Sequence, residues 1–422
     1  MLRLIALTFL SRFGTAALNF FTIVLLSRAL GPAGKGEASR MLVVIAGVQM
    51  LCDFAGGAAL VYLSPRFKLF SLWKPIAVWT FLCSLGLGVW LSFVDEPLLS
   101  TYIPATVMLC FINALNSQQM HLLNGREKFR HTAALMLLHA FLTASVLGVL
   151  LQFEPEVMDY FIALFVGWGA SFLASLWFLR QTATGEGERS VFRLRRDGRL
   201  LFASGSINQA GHLLQFLNQR LFFLLLPAFA LGIYSNAVAL AESIWMIASS
   251  IAMIQYGKIA NMHNKAEAAQ LTVRLFRLAL WVSFPAVVVV ALLPEGLYLF
   301  IFGDGFRHVD QSLRLLLPGV LTLSGYLVLG HYFSGTGQFL KNNLSIALGV
   351  AAAAAGFALM MLLRGTPPGP LSAALITSLA NSATFFSVIW LFLRDTRLPP
   401  SVLLPRRSDL QELRTLLNLK KA

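Results

Sequence analysis

Charged residues are scarce in this sequence. They make up only 12% of its 422 residues, whereas apolar residues make up 57%. A soluble globular domain carries about 25% charged residues, so this chain lacks the means to cover itself with a polar surface. The composition therefore excludes a soluble globular protein and indicates one that is surrounded by lipid.

Cysteines are few, and the motifs of soluble enzymes are absent. Cys52, Cys83 and Cys110 all fall inside apolar runs, where we expect packing residues rather than a disulfide framework. There is no Walker loop and no His-Glu-x-x-His motif, and Gly335-Thr336-Gly337 lacks the strand that a dinucleotide loop requires. We expect no catalytic residue, no metal site and no cofactor.

Apolar runs of about 20 residues fill the chain, and each is long enough to cross roughly 30 Å of hydrocarbon as a helix. The first run is too long for a signal peptide, so we interpret it as a retained span. The pattern predicts an all-α integral membrane protein of about twelve transmembrane helices. The predicted spans are 4–30, 39–63, 73–94, 100–124, 131–152, 157–180, 200–228, 232–257, 277–301, 312–335, 341–363 and 370–393.

Basic residues concentrate in alternate connections between these spans. One side receives the basic clusters within 66–74, 126–130, 189–199, 258–277 and 394–421, together with Lys341. The other side has only Lys35, Arg307 and Arg364, and it holds most of the acidic loop residues. The positive-inside rule then predicts that both termini are cytoplasmic. This distribution also explains the net charge of +14 without nucleic acid as a partner.

A Gly-, Glu- and Arg-rich connection divides the spans into two sets of six. The segment after Arg28 resembles the one after Arg220, and Asn124–Phe129 resembles Ser334–Phe339. Two six-span halves in the same orientation form a parallel repeat, a transporter architecture in which substrate binds between the halves. The predicted organisation is an N-terminal lobe (1–180), a basic cytoplasmic linker (181–199), a C-terminal lobe (200–394) and a cytoplasmic tail (395–422).

The tail has the pattern of a short amphipathic helix. Ser408 and Gln411 have capping-box spacing, and Leu410, Leu413, Leu416 and Leu417 form one face. Such a helix would lie on the inner membrane surface. The alternative is a frayed terminus.

Two acidic residues, Asp53 and Glu242, lie deep inside predicted spans. Ionisable groups at this depth are costly and indicate function. A buried carboxylate tends to take up a proton, so both are candidates for coupling to H+ or Na+. The alternative is an ion pair that holds two helices together.

Three arginines, Arg12, Arg28 and Arg220, also fall within predicted spans. The planar guanidinium group can grip two phosphate oxygens at once, so these residues are candidates for binding a pyrophosphate. Arg28 lies near a span end, where snorkelling to the interface is the alternative. For Arg12 and Arg220, the alternative is pairing with Asp53 or Glu242.

Polar side chains follow helical spacing in three spans, and most of them are amides. Because a lipid-facing row of amides is costly, these residues should line a cavity or contact another helix. Cavity lining and sugar binding are the roles that we predict for them, and helix–helix hydrogen bonding is the alternative. For His212, one alternative is a ligand or proton-relay role, and the other is an interior position in which its hydrogen bonds are satisfied. The candidates are Asn19, Asn113, Asn116, Gln119, Asn208, His212, Gln215 and Gln219.

Several of these segments resemble bacterial Wzx-type polysaccharide flippases of the multidrug/oligosaccharidyl-lipid/polysaccharide exporter superfamily. The resemblance extends over essentially the whole chain. It is carried by Ser11–Gly14, Arg28–Gly36, Ala230–Ala237, Ala241–Trp245 and the segment at Gly335.

This resemblance implies two six-helix lobes around a cationic central cavity. It implies an undecaprenyl-pyrophosphate-linked oligosaccharide, such as an O-antigen or exopolysaccharide repeat unit, flipped across the bacterial inner membrane. It also implies a possible polysaccharide polymerase as partner, besides membrane lipids. The family often has an acid just before the residue that matches Arg220, but this sequence has Gln219 there, which shifts interest in ion coupling to Asp53 and Glu242.

Other functions remain open. A multidrug antiporter for cationic compounds requires an excess of acids in the cavity, and a lipid II flippase usually has two further spans. A membrane glycosyltransferase or polymerase would use a long outer loop or a paired acidic site, and the longest predicted outer connection is only Phe302–Gln311. A purely structural membrane protein would not need polar rows inside its spans.

Overall fold

A computed structural model describes residues 2–93, 102–184, 189–203, 206–262 and 264–404. For residues 2–10, 58, 202–203 and 208, the description covers the backbone only. The predicted tail helix, with Ser408 and Gln411, lies outside the described residues.

The described chain is helical, as the apolar runs predict, and the fold class is confirmed. The helices are α1 (Leu2–Cys52), α2 (Gly57–Leu63), α3 (Leu69–Leu91), α4 (Ile103–Gly125), α5 (Phe129–Leu150), α6 (Val157–Ala183), α7 (Leu194–Ala203), α8 (Ser206–Leu225), α9 (Ala228–Ile259), α10 (Lys265–Leu292), α11 (Glu295–Phe302), α12 (Val309–Gly335), α13 (Phe339–Arg364) and α14 (Pro370–Thr396).

Nine helical stretches among the described residues are long and apolar enough to cross a membrane. One of them, Ser11–Leu63, covers the first two predicted spans, and the polar helices α4 and α8 match two more. Every predicted span thus corresponds to a helix. Leu362 is 84% exposed and Leu292 is 78% exposed, as expected for side chains that face lipid. The protein is a multi-pass membrane protein.

The boundaries differ from the predictions in three places. The first two spans form one long helix with a bend at Gly31, whose φ of 64° places it in the left-handed region. The predicted span 277–301 begins twelve residues too late, because α10 extends from Lys265 to Leu292 and α11 follows separately. The predicted span 39–63 is interrupted by a 3-10 turn, Asp53–Ala55, where α1 ends.

The helices divide into two compact units, Met1–Leu213 and Leu214–Ala422. The predicted lobe limits, 1–180 and 200–394, stay a prediction. In the first unit, α5 and α6 approach closely because Gly167 faces the backbone of His139. In the second, Gly319 of α12 faces the backbone of Ser378 in α14. Small residues at helix crossings allow the close packing that holds membrane helices together.

Candidate functional site

The first polar cluster lies where α1 ends, at Asp53. Gly57 has a φ of 52°, a left-handed conformation that favours glycine, and its N–H donates to the Gln118 Oε1 atom of α4 at 3.3 Å. The same Gln118 side chain donates from Nε2 to Asp53 Oδ1 at 2.9 Å. One buried carboxamide therefore satisfies both a backbone group freed by the helix break and the carboxylate beside it.

Among the described residues, Asp53 contacts the Gln118 amide and no arginine. No ion pair of Asp53 is present among the described residues, so the predicted alternative of an Asp53–arginine pair has no support there. A carboxylate at membrane depth without a cationic partner is costly in its charged form. This environment suits a group that takes up a proton or a small cation.

A second set of hydrogen bonds continues this cluster between α1 and α4. Asn113 Nδ2 donates to Gln49 Oε1 at 2.7 Å, and Gln49 Nε2 donates to Ser117 Oγ at 3.0 Å. These three side chains are partly buried. Gln49 precedes Asp53 by one helical turn, which places both near the break.

The other two amides of α4 bond to serines of α6. Asn116 is 3% exposed and donates from Nδ2 to Ser171 Oγ at 3.1 Å. Gln119 is fully buried, and its side-chain amide forms a hydrogen bond with the Ser175 hydroxyl. Both contacts match the helix–helix alternative that the sequence leaves open, so these two amides contribute to packing.

The arginines of α1 are on one long helix. Arg12 and Arg28 both have exposed side chains, as does Asn19 between them. The two arginines are sixteen residues apart, which is about 24 Å along an α-helix. While this part of α1 stays helical, they are too far apart to hold one pyrophosphate at the same time. If they bind the same group, they must bind it in succession.

In the second unit, Arg220 of α8 pairs with Glu242 of α9. Arg220 Nη2 lies 2.5 Å from Glu242 Oε1, and the two side chains are 24% and 27% exposed. The Arg220 guanidinium also lies over the ring of Phe223, 4.8 Å from its centroid. The structural ion pair that the sequence leaves open for Glu242 is therefore present, and its partial exposure still leaves the arginine accessible.

The polar row of α8 lies on one continuous helix, as predicted. Its residues differ in their surroundings, because Gln215 and Gln219 are partly buried and His212 is exposed. The side chain of Asn208 lies outside the described residues. Both polar atoms of Gln215 are buried and have no hydrogen-bond partner in the described part of the chain. Because buried polar groups are normally satisfied, Gln215 is a strong candidate for contact with a ligand.

Sequence reasoning missed several members of these clusters. Gln49, Ser117 and Gln118 belong to the Asp53 region, and Asn218 of α8 donates from Nδ2 to Asn381 Oδ1 of α14 at 3.1 Å. Helical spacing offered a signal for Gln49, which is four residues before Asp53. For Asn218, no signal in the sequence indicated a partner 163 residues away.

An apolar groove of about 580 Å³ lies between α3 and α4 of the first unit. Phe81, Leu85, Val89, Val107 and Met108 line it, and among the residues that the structure describes no charged side chain does. The lining of the groove is thus apolar, unlike that of the polar clusters described above.

The architecture matches solved transporter structures. The lipid II flippase MurJ, in an inward closed conformation, superimposes with a TM-score of 0.70 at 12% identity, covering 94% of this chain and 89% of that chain. A variant of the Vibrio cholerae MATE transporter VcmN gives 0.64 at 13% identity, covering 95% and 98% of the two chains. An outward-facing multidrug resistance MATE transporter of the MOP superfamily gives 0.61 at 15% identity, covering 93% and 95%.

No protein-family model and no curated protein matches the sequence. Identities this low establish a shared fold and do not show the substrate. The chain therefore has the fold seen in these MATE transporters and in the lipid II flippase MurJ.

Proposed function

We propose that this protein flips undecaprenyl-pyrophosphate-linked oligosaccharide repeat units across the bacterial inner membrane. The movement is from the cytoplasmic to the periplasmic leaflet, by alternating access and with ion coupling. Its fold, similar over 94% of the chain to that of the lipid II flippase MurJ, supports a lipid-linked substrate.

The observation that carries the proposal is the charge within the helices. Arg12, Arg28 and Arg220 provide guanidinium groups, while Glu242 is already paired with Arg220 and Asp53 accepts from Gln118. A cationic drug would require carboxylates directed at the substrate. An anionic pyrophosphate instead requires cations, and arginine binds phosphate oxygens in a bidentate manner.

In this proposal, the arginines contact the pyrophosphate at different stages of the cycle, because Arg12 and Arg28 are too far apart to act together. The sugars contact the predicted polar side chains other than Asn116 and Gln119, whose amides bond to serines of α6. These are Asn19, Asn113, Asn208, His212, Gln215 and Gln219.

A flipping assay with purified protein in liposomes tests this function. The substrate is a fluorescent undecaprenyl-pyrophosphate-linked disaccharide, and a membrane-impermeant quencher reports its exposure to the outside. We expect the wild-type protein to transfer the labelled lipid between leaflets. Arg12→Ala should slow this transfer about tenfold or more, because it removes roughly one charge-assisted hydrogen bond to the substrate. Arg364→Ala, at the exposed end of α13, is the matched control and should transfer normally.

Two results would oppose the proposal. If the same disaccharide on an undecaprenyl carrier without phosphate were transferred as fast as the pyrophosphate-linked one, the arginines would not act by binding pyrophosphate. Normal transfer by both Arg12→Ala and Arg220→Ala, at equal protein levels, would remove them as pyrophosphate ligands.

Lipid II is the second candidate substrate, because the fold similarity to MurJ favours it. Labelled lipid II in the same liposomes separates the two: faster transfer of lipid II than of the oligosaccharide lipid would replace our proposal with the second candidate. A multidrug antiporter would instead move a fluorescent cation such as ethidium.

For ion coupling, we propose Asp53 as the primary group and Glu242 as a second. Asp53→Asn mimics the protonated carboxyl and can keep the contact with Gln118. We expect it to retain the fold and to abolish the response of the flipping rate to a pH difference across the membrane. Asp304→Asn, on an exposed turn, should retain that response. An unchanged response in Asp53→Asn would exclude Asp53 from coupling.

A further inference from the structure

The segment before α8 is fixed to one end of the membrane helices of the first unit. Lys68, the residue before α3, donates its N–H to the Ser190 carbonyl at 2.9 Å. Phe192 N donates to Ser71 Oγ at 2.9 Å, and its ring packs edge-on against Phe67 at 5.4 Å. Because α3 is a membrane span, these contacts place α7 at the level where that span leaves the hydrocarbon.

One face of α7 is turned towards the protein, and its acidic residue is on that face. Asp197 is 7% exposed, and Leu201 is 2% exposed and belongs to the same hydrophobic cluster as Phe192 and Leu63. Asp197 Oδ2 accepts from the backbone N–H of Arg193 at 2.9 Å, which caps the start of the helix.

Asp197 forms an ion pair with a residue of its own helix. Arg196 Nε donates to Asp197 Oδ1 at 2.8 Å. Hydrogen bonds from Arg196 and from the Arg193 backbone hold the pKa of Asp197 below its usual value, so this residue stays ionised and neutralises Arg196. The outward face of α7 therefore keeps Arg195 and Arg199 with no acid beside them on the helix.

Apolar side chains flank these two arginines. Leu194 is 58% exposed, Leu200 is 41% exposed and the preceding Val191 is 50% exposed. Exposed leucines next to exposed arginines at the end of a span are typical of a helix that lies in the headgroup region of a bilayer. A nucleic acid or an acidic protein loop would match the charge but not the apolar neighbours.

We propose that α7 is an interfacial helix that binds anionic phospholipids through Arg195 and Arg199, with Leu194 and Leu200 against the acyl boundary. The ligand chemistry is a phosphodiester headgroup of net negative charge, such as that of phosphatidylglycerol. This binding is independent of the transported substrate. It anchors the segment that precedes α8, the helix that carries the polar row.

Native mass spectrometry of the full-length protein tests the proposal. The protein is held in neutral detergent with equimolar phosphatidylglycerol and phosphatidylcholine, and the ratio of the two lipid adducts is measured. We expect an excess of phosphatidylglycerol in the wild-type protein. Arg195→Gln/Arg199→Gln keeps the Arg196–Asp197 pair and should lower that excess roughly fivefold for each arginine removed.

Lys258→Gln/Lys265→Gln removes the same charge from exposed sites in the second unit and should keep the wild-type ratio. The wild-type excess should also fall as salt rises from 0.05 to 0.5 M, because the Debye length shortens. An unchanged ratio in the Arg195/Arg199 variant, an equal loss in the lysine variant, or an excess that does not respond to salt would each overturn the proposal. The salt response requires no variant, so its absence would overturn the proposal even if a substitution impairs folding.

Discussion

Amide side chains within the membrane helices have two different environments in this protein. The carboxamides of Asn116 and Gln119 bond to serines of α6, whereas both polar atoms of Gln215 are buried without a partner in the described part of the chain. A buried polar group without a hydrogen bond costs about 1–3 kcal/mol. Gln215 is thus destabilising unless a ligand or water satisfies it.

The first prediction compares these two environments. Gln215→Leu should leave the thermal stability of the protein unchanged or slightly higher, because it removes an unsatisfied group, and should slow flipping by about tenfold, the value of one lost hydrogen bond. Asn116→Leu should lower stability by about 1–2 kcal/mol, since Ser171 loses its side-chain partner and keeps only the long contact with the Leu135 carbonyl. Differential scanning fluorimetry and the liposome assay measure both. A larger loss of stability in Gln215→Leu than in Asn116→Leu would contradict this assignment.

The second prediction concerns the Arg220–Glu242 pair. Arg220→Ala leaves a carboxylate without its cation and should cost about 1–3 kcal/mol, less than a fully buried pair because both side chains are about a quarter exposed. Arg220→Ala/Glu242→Gln removes the remaining charge and should recover at least half of that loss. Flipping should stay low in the double variant, because the arginine that we propose as a pyrophosphate ligand is still missing.

The comparison separates a structural from a substrate role. Recovery of both stability and flipping in the double variant would mean that the pair only holds α8 and α9 together. Arg220→Lys, which keeps the charge but not the bidentate geometry, should retain stability and lose part of the flipping rate.

At the level of elements, the interruption after α1 packs against one residue of α4, Gln118. Gly56 is adjacent to Gln118, and a Cβ at position 56 would overlap its carboxamide. Gln118 also bonds Asp53 and the Gly57 N–H. The position of the break and the environment of Asp53 are therefore set together.

The third prediction follows from this overlap. Gly56→Ala should destabilise the protein by about 1–3 kcal/mol, the usual cost of overpacking, and should alter the pH response of flipping because Gln118 is displaced from Asp53. Gly86→Ala in α3 is the control, since a Cβ there meets nothing within 4 Å, and it should be neutral within about 0.5 kcal/mol. Thermal unfolding in detergent measures both, and an equal effect of the two changes would show that the Gln118 contact is unimportant.

At the level of the whole molecule, the alternation of basic connections predicts the orientation in the membrane. Single cysteines at Glu154 and Asn261, in a background without Cys52, Cys83 and Cys110, place one thiol on each predicted side. Both positions are exposed. In intact cells, a membrane-impermeant maleimide should label Glu154→Cys and not Asn261→Cys, and permeabilised cells should show labelling of both. The reverse pattern would place both termini outside the cytoplasm.

The fold class could be predicted from the sequence because a long apolar run in lipid must satisfy all its backbone hydrogen bonds internally. For a single segment, only a helix does so. Span limits were less predictable. The start of α10 at Lys265 was missed because charged residues, Lys265, Glu267 and Arg274, interrupt its first turns. The break at Asp53 was missed because apolar residues continue on both sides of it.

The sequence by itself determined that this is a helical membrane protein, that its basic residues alternate between connections, and that a few arginines, acids and amides lie within its helices. These are local properties, set by composition and spacing. Only the tertiary structure decided which polar groups satisfy one another. The partners of Asp53, Asn116, Arg220 and Asn218 come from other helices, and hydrophobic periodicity carries no information about which helices meet. That pairing distinguishes the amides used in packing from those, such as Gln215, that are candidates to contact a substrate.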